Sequence, residues 1–124
     1  MSKLISLSGL PNLEYLNLKS LVLEENSLDN LLKLRQLVLI TCDMKALKLD
    51  IFNSFPSLES LEVFYSDRND DDAHLLNLNL STLRRLDLNS SNNRLKILLN
   101  LPPDLRVLKL TDFTYKESCS YELR

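Results

Sequence analysis

The six residues Leu34-Arg35-Gln36-Leu37-Val38-Leu39 contain the pattern that decides the fold of this chain, with leucine in the first, fourth and sixth places. Residues two apart in an extended segment point to the same side. The last two leucines therefore face one way, and the valine between them faces the other. The stretch predicts a short strand with a buried leucine side and a variable outward side.

The same pattern recurs along the chain at a nearly constant period. Its first positions are residues 13, 34, 58, 83 and 105, which are separated by 21, 24, 25 and 22 residues. Because one such strand cannot bury its own leucines, the copies are expected to stack into a solenoid with a parallel sheet. The predicted strands lie near residues 15–18, 36–39, 60–63, 85–88 and 107–110.

The composition of the 124-residue chain excludes several function classes. Its one glycine, Gly9, leaves no glycine-rich phosphate loop and no nucleophile elbow, and its one histidine, His74, leaves no multi-histidine metal site. A net charge of -2 gives no general attraction to nucleic acid. No apolar run approaches the roughly 18 residues that span a bilayer. We therefore expect no enzyme, no cofactor or metal ion, no nucleic-acid partner and no membrane insertion.

The repeats resemble those of the leucine-rich-repeat superfamily, whose consensus adds an Asn or Cys three residues after the third leucine. The second repeat fits this consensus best, with the residues Leu34, Leu37, Leu39, Cys42, Met44, Leu47, Phe52 and Phe55. The other repeats depart from it at the Asn or Cys position, which holds Leu21, Ser66, Ser91 or Asn93, and Phe113. The resemblance implies an α/β fold, a right-handed horseshoe with a parallel concave sheet and short helical or 3-10 convex turns.

Two convex segments are predicted to be helical. Residues 25–34 contain Ser27 followed by leucines at helical spacing, and residues 50–55 are expected to form a helical or 3-10 turn that ends before Pro56. The chain is predicted to be a single domain over residues 1–124, with residues 1–12 as the end of a preceding repeat and residues 116–124 as a tail. Since neither end carries an obvious polar cap, we expect a fragment of a longer array.

The outward positions of the strands are the first candidates for a binding site. Apolar residues from repeats two and three are expected to cluster on the concave face, with charged residues as a polar rim. The predicted partner-binding residues are Tyr15, Val38, Ile40, Glu62, Phe64, Tyr65, Arg85 and Asp87. The alternative explanation is that β-branched and aromatic residues simply favour strands.

Three other features are weaker candidates. Within residues 66–74, Asp67, Asn69 and Asp71 stand at alternate positions, as at the start of a calcium loop. Asp72 and Leu78 stand where that loop needs glycine and glutamate, so a solvated acidic loop is expected. Asn79 and Asn89 begin possible glycosylation sequons. Cys42 is expected to be buried, whereas Cys119 is either a free thiol or half of a disulfide.

The resemblance to the typical repeat class, which occurs in extracellular proteins such as Toll-like receptors, implies a function in protein–protein recognition. The leading hypothesis is the ligand-binding part of an innate-immune or cell-surface receptor, which binds a protein ligand or a partner subunit. The alternative is an intracellular adaptor, either a substrate reader of an F-box-type ubiquitin ligase or a plant-type resistance receptor. The compartment stays open, extracellular for a receptor fragment and cytoplasmic for a chain that is complete as written.

Overall fold

A computed structural model describes residues 2–48, 50–65, 74–90, 96–111 and 113–115. Within these ranges the chain forms ten β-strands and one 3-10 turn. The strands are β1 (Ser2–Leu4), β2 (Tyr15–Lys19), β3 (Leu21–Leu23), β4 (Gln36–Ile40), β5 (Ser60–Tyr65), β6 (His74–Asn77), β7 (Arg85–Ser90), β8 (Lys96–Asn100), β9 (Val107–Thr111) and β10 (Phe113–Tyr115). The 3-10 turn, Ile51–Ser54, lies between β4 and β5.

The repeated leucine pattern builds the main sheet. Its five strands are ordered β2-β4-β5-β7-β9, and every neighbouring pair is parallel and in register. Leu37 of β4 lies opposite Leu16 of β2 and Leu61 of β5, so equivalent leucines form continuous rows. All five predicted strands are confirmed, each extended by one or two residues at its end.

The chain returns along a second side of the solenoid, which also consists of parallel strands. β6, β8 and β10 form a three-stranded sheet, and β1 pairs with β3 near the amino terminus. A single bridge between Val22 and Asp43 continues the second side into the next turn. The molecule is thus a parallel β-solenoid of about four turns.

The core lies between the two sides and consists mainly of leucine. The inward leucines of the central strands, such as Leu37, Leu61 and Leu86, are fully buried. Phe52 and Phe55 fill the same interior from the segment of the 3-10 turn. The repeats begin with a reverse turn that directs the first leucine inward. In the second repeat, for example, the Leu34 N–H donates to the Leu31 carbonyl at 3.3 Å.

The predicted α/β class is wrong, because the described residues are nearly all β and contain no α-helix. Parallel strands take up the side that the resemblance gave to helical convex turns. Residues 25–30 form consecutive turns, in which Ser27 N–H donates to Glu24 O at 3.1 Å and Asp29 N–H donates to Asn26 O at 3.2 Å. Asn30 then takes a positive φ of 64°, which a right-handed helix cannot contain. Only the predicted turn near residues 50–55 has helical character, and it is a 3-10 turn.

Candidate binding surface

The candidate site is the outer face of the main sheet, which we define as the strand side chains that point away from the core. Parallel, in-register pairing aligns these side chains in three columns across the sheet. The columns are Tyr15, Gln36, Ser60, Arg85 and Val107; Asn17, Val38, Glu62, Asp87 and Lys109; and Lys19, Ile40, Phe64, Asn89 and Thr111. Seven of the eight predicted binding residues therefore lie on one surface.

The apolar part of the outer face lies on β4 and β5. Ile40 and Phe64 are direct neighbours in register, and both are partly exposed. Val38 is only 5% exposed, because Asn17 and Glu62 flank it in its column. Ile40 and Phe64 therefore supply most of the apolar area that this pair of strands offers to a partner.

The eighth predicted residue, Tyr65, does not lie on the outer face, and this prediction is wrong. Tyr65 is 3% exposed and belongs to the buried core. β5 continues through Tyr65, so the alternation that turns Leu61 and Val63 inward turns Tyr65 inward as well. Strand periodicity, extended by one more residue, could have shown this from the sequence.

The charged part of the outer face lies on β5 and β7. Arg85 Nε stands 3.4 Å from Glu62 Oε1, and Arg85 Nη2 stands 4.0 Å from Asp87 Oδ2. One guanidinium thus bridges two carboxylates, and the three side chains carry a formal charge of -1. This charged trio borders Phe64, which places a polar rim beside the apolar part.

Sequence reasoning missed a second feature, a row of charged residues that immediately precedes the strands. We call it the edge row, and it comprises Glu14, Arg35, Glu59, Arg84 and Arg106. The backbone N–H of each of the last four members donates to the carbonyl of the preceding member at 2.8 Å, so the residues of the row are stacked neighbours. The signal was available in the sequence, because each member directly follows the first leucine of its repeat and the first four alternate in charge.

Arg35 lies between the two acidic members of this row, Glu14 and Glu59. Its Nε donates to Glu59 Oε2 at 2.6 Å, and its Nη1 lies 3.8 Å from Glu14 Oε1. The hydrogen bond and the charge of Arg35 lower the pKa of Glu59, and the same contacts raise the pKa of Arg35. These side chains line a shallow open depression of about 360 Å³ with Tyr15, Gln36 and Ser60.

The two candidate glycosylation residues differ in accessibility. Asn79 is exposed, and its backbone N–H donates to Asn53 Oδ1 at 2.7 Å. Asn89 is only partly exposed on β7, and its Oδ1 atom is buried. Asn79 is therefore the more open acceptor of the two.

Cys42 is buried near the ends of β2 and β4, and its burial agrees with the sequence prediction. Its thiol lies 3.5 Å from the Leu18 carbonyl oxygen and 3.6 Å from that of Ile40, and burial raises the pKa of the thiol. The candidate acidic loop up to residue 73, the repeat positions Ser66, Ser91 and Asn93, and Cys119 lie outside the described residues.

Comparisons with protein-family models, with curated proteins and with solved structures found no match to this chain. Among the described residues, no three His, Cys, Asp or Glu side chains gather closely enough to hold a metal ion. Within the same part of the chain, no helix is long and apolar enough to cross a membrane.

Proposed function

We propose that this chain is a protein-recognition module that binds a partner protein through the outer face of its main sheet. The observation that carries the proposal is the juxtaposition of partly exposed apolar side chains with a charged trio on a regular surface. Ile40 and Phe64 meet in register, and Glu62, Arg85 and Asp87 lie beside them. An apolar centre beside a polar rim is the usual composition of a protein interface.

The surface also fits the way in which a solenoid recognises its partners. Each turn contributes the same three outward positions, so a partner contacts several turns at once without any change in the buried leucines. Tyr15 extends the surface toward the first turn and remains largely exposed. Aromatic residues of this kind often supply much of the binding free energy at interfaces.

The finer proposal is that the module is a leucine-rich-repeat segment with strands on both sides, and that it forms part of an innate-immune or cell-surface receptor. The second repeat, with Cys42 at the consensus position, supports the leucine-rich-repeat assignment. An intracellular adaptor with the same binding face is the alternative, either of the F-box type or of the plant-resistance type.

Site-specific photo-cross-linking tests the binding face. A photoreactive residue is placed at Phe64, and a matched variant carries it at Leu32, an apolar residue that is exposed but lies outside the main sheet. We expect the Phe64 variant to form a discrete adduct with a partner protein in cells of the native host, and the Leu32 variant to form none. Equal adducts from both positions, or adducts from neither, would contradict the proposal.

Glycan occupancy separates the two compartments. Peptide mass spectrometry on protein from its own host would detect a glycan at Asn79, where the side chain is exposed, and test Asn89 in parallel. A receptor predicts occupancy at Asn79. Unmodified peptides at both sites would contradict the receptor assignment and favour the intracellular adaptor.

A further inference from the structure

The basic part of the edge row contains two arginines on neighbouring turns, Arg84 before β7 and Arg106 before β9. The Arg106 backbone N–H donates to the Arg84 carbonyl at 2.8 Å, so the two residues lie directly beside each other. Like charges at adjacent positions of a sheet repel each other and lower stability. The row thus holds one unfavourable pair, whereas each of its other steps places an acid beside a base.

The two arginines have no carboxylate of their own. Among the described residues, no carboxylate oxygen lies within 4.0 Å of either guanidinium. Glu59, the acid that precedes Arg84 in the row, is hydrogen-bonded to Arg35 at 2.6 Å. Asp104 stands two residues before Arg106 but forms no ion pair with it. Since Glu59 and Arg106 flank Arg84 on both sides, no further member of the row lies beside it.

Backbone carbonyls hold the Arg84 side chain in place. Its Nη1 donates to the Ser81 carbonyl at 2.7 Å and lies 3.4 Å from the Leu83 carbonyl oxygen. Within the described chain, these contacts leave Nε and Nη2 of Arg84 without an acceptor, and the exposed guanidinium of Arg106 has none. The N–H groups of a guanidinium fit a carboxylate through two parallel hydrogen bonds. The pair therefore offers donors that are partly oriented before any ligand binds.

The row itself shows which anion its arginines take. Arg35 contacts a carboxylate on each side, at 2.6 Å from Glu59 and 3.8 Å from Glu14. Each of these acids belongs to an adjacent turn, so a carboxylate one turn away is the ligand that the row provides for a guanidinium. For Arg84, one of the adjacent turns supplies Arg106 instead. A carboxylate from outside the chain would restore the missing contact.

We infer that Arg84 and Arg106 form a binding site for an acidic side chain, aspartate or glutamate, of the partner protein. The carboxylate accepts N–H groups from both guanidiniums and offsets their repulsion. That the partner carries it rests on the proposed function, because the two arginines directly precede β7 and β9 and so border the outer face. The partner is then oriented with its acidic residue at the start of these strands and its apolar residues at Ile40 and Phe64.

An NMR titration with triglutamate, acetylated and amidated at its ends, tests the site without the partner. The Nε–H signals of Arg84 and Arg106 should shift in a saturable way, whereas the signal of Arg35, which is already bonded to Glu59, should not. Trilysine is the control probe and should shift none of them. Equal shifts at Arg35, no saturable shift at the pair, or binding of a phosphoserine tripeptide without binding of triglutamate would overturn the inference.

Charge-neutral variants test whether the two arginines act as one site. Arg84→Gln and Arg106→Gln should each weaken triglutamate binding by about two- to fivefold, the size of an exposed ion pair. Lys109→Gln removes an exposed cation of β9 outside the pair and is the matched control, which should leave the binding unchanged. Dispersed amide spectra show that each variant is folded. An equal loss on Lys109→Gln would indicate general charge attraction and overturn the inference.

The photo-cross-link at Phe64 separates this inference from the proposed function. Arg106→Gln should reduce the Phe64 adduct by about two- to fivefold, because the partner loses one ion pair. Saturable triglutamate binding together with an Arg106→Gln adduct as strong as that of the unmodified chain would overturn the assignment of the carboxylate to the partner. Triglutamate binding without any Phe64 adduct would contradict the proposed function and leave the carboxylate site in place.

Discussion

The strands of the first two turns, β2 and β4, and those of the next two, β5 and β7, share one leucine pattern. The backbone conformation at the end of the strand differs between the two pairs. After β2 and β4, Ser20 and Thr41 take left-handed φ values of 55° and 49°. Their equivalents Tyr65 and Ser90 remain extended and pair with each other. β2 and β4 therefore have five residues, whereas β5 and β7 have six.

Hydrogen bonds hold Ser20 and Thr41 in this conformation, and we call these two residues the left-handed corners. Ser20 N–H donates to Ile40 O at 2.9 Å, Thr41 N–H donates to Phe64 O at 2.8 Å, and the Ser20 and Thr41 hydroxyl oxygens lie 3.1 Å apart. A β-branched residue rarely takes positive φ, so the surroundings must impose it on Thr41. The comparison shows that the leucines determine the sheet, whereas the backbone conformation after each strand varies independently of them. Serine stands at both positions, but Ser20 has a left-handed backbone and Ser90 an extended one.

The largest expected effect tests whether the first two turns and the next two share one leucine core. Leu39 in β4 and Leu88 in β7 hold equivalent, fully buried positions. Leu39→Ala and Leu88→Ala should each lower the free energy of unfolding by about 2–5 kcal/mol, because each leaves a cavity in the same leucine core. Urea unfolding measures both variants. A cost below about 1 kcal/mol at either position would show that the halves are not equivalent.

A smaller effect should separate the two kinds of corner. Ser90→Gly should lower the free energy of unfolding by about 1 kcal/mol, because glycine weakens an extended strand. Thr41→Gly should change it by less than about 0.5 kcal/mol, since relief at positive φ offsets the lost hydroxyl contact. Urea unfolding of the two variants side by side provides the measurement. If Thr41→Gly were as costly as Ser90→Gly, the left-handed corner would be contradicted.

The smallest effect concerns the ion pair that joins the second turn to the third. Because the pKa of Glu59 is lowered in the folded chain, its contribution to stability is present above the unfolded pKa near 4.5 and is lost as the pH falls through the folded pKa. Glu59→Gln should therefore lower the urea midpoint slightly at pH 7 and lower it by less at pH 3, where the ion pair is weakened by protonation of Glu59. Glu25→Gln, at an exposed turn, is the control. An equal decrease at both pH values would contradict the role of the pair.

The main sheet could be predicted from the sequence because its signal is local and repeated. Period-two leucines need only the geometry of an extended chain, and they predict β2, β4, β5, β7 and β9. The second side has no such repeat, since β3 follows β2 after one residue whereas residues 66–73 separate β5 from β6. The helical prediction for residues 25–34 relied on leucine spacing alone, and the positive φ of Asn30 has no equally clear sequence signal.

The sequence predicts which residues of the strands point outward on the outer face, but not how much of each side chain is exposed. Strand alternation identifies Ile40 and Phe64 correctly, whereas the burial of Val38 depends on the length of its neighbours across the sheet. The inward direction of Tyr65 follows from the same alternation once β5 is extended one residue beyond the length of β4. The edge row escaped prediction because it lies just before the strands rather than on them.

The central claim is that the leucine pattern builds a parallel, in-register solenoid of strands without a helical side. Proton–proton contacts measured by NMR test it directly. We predict backbone contacts between Leu39 and Val63 and between Val63 and Leu88, and no continuous series of the contacts between residues four apart that an α-helix would produce in residues 25–34. Continuous helical contacts in that segment, with no contacts between those strands, would contradict the account.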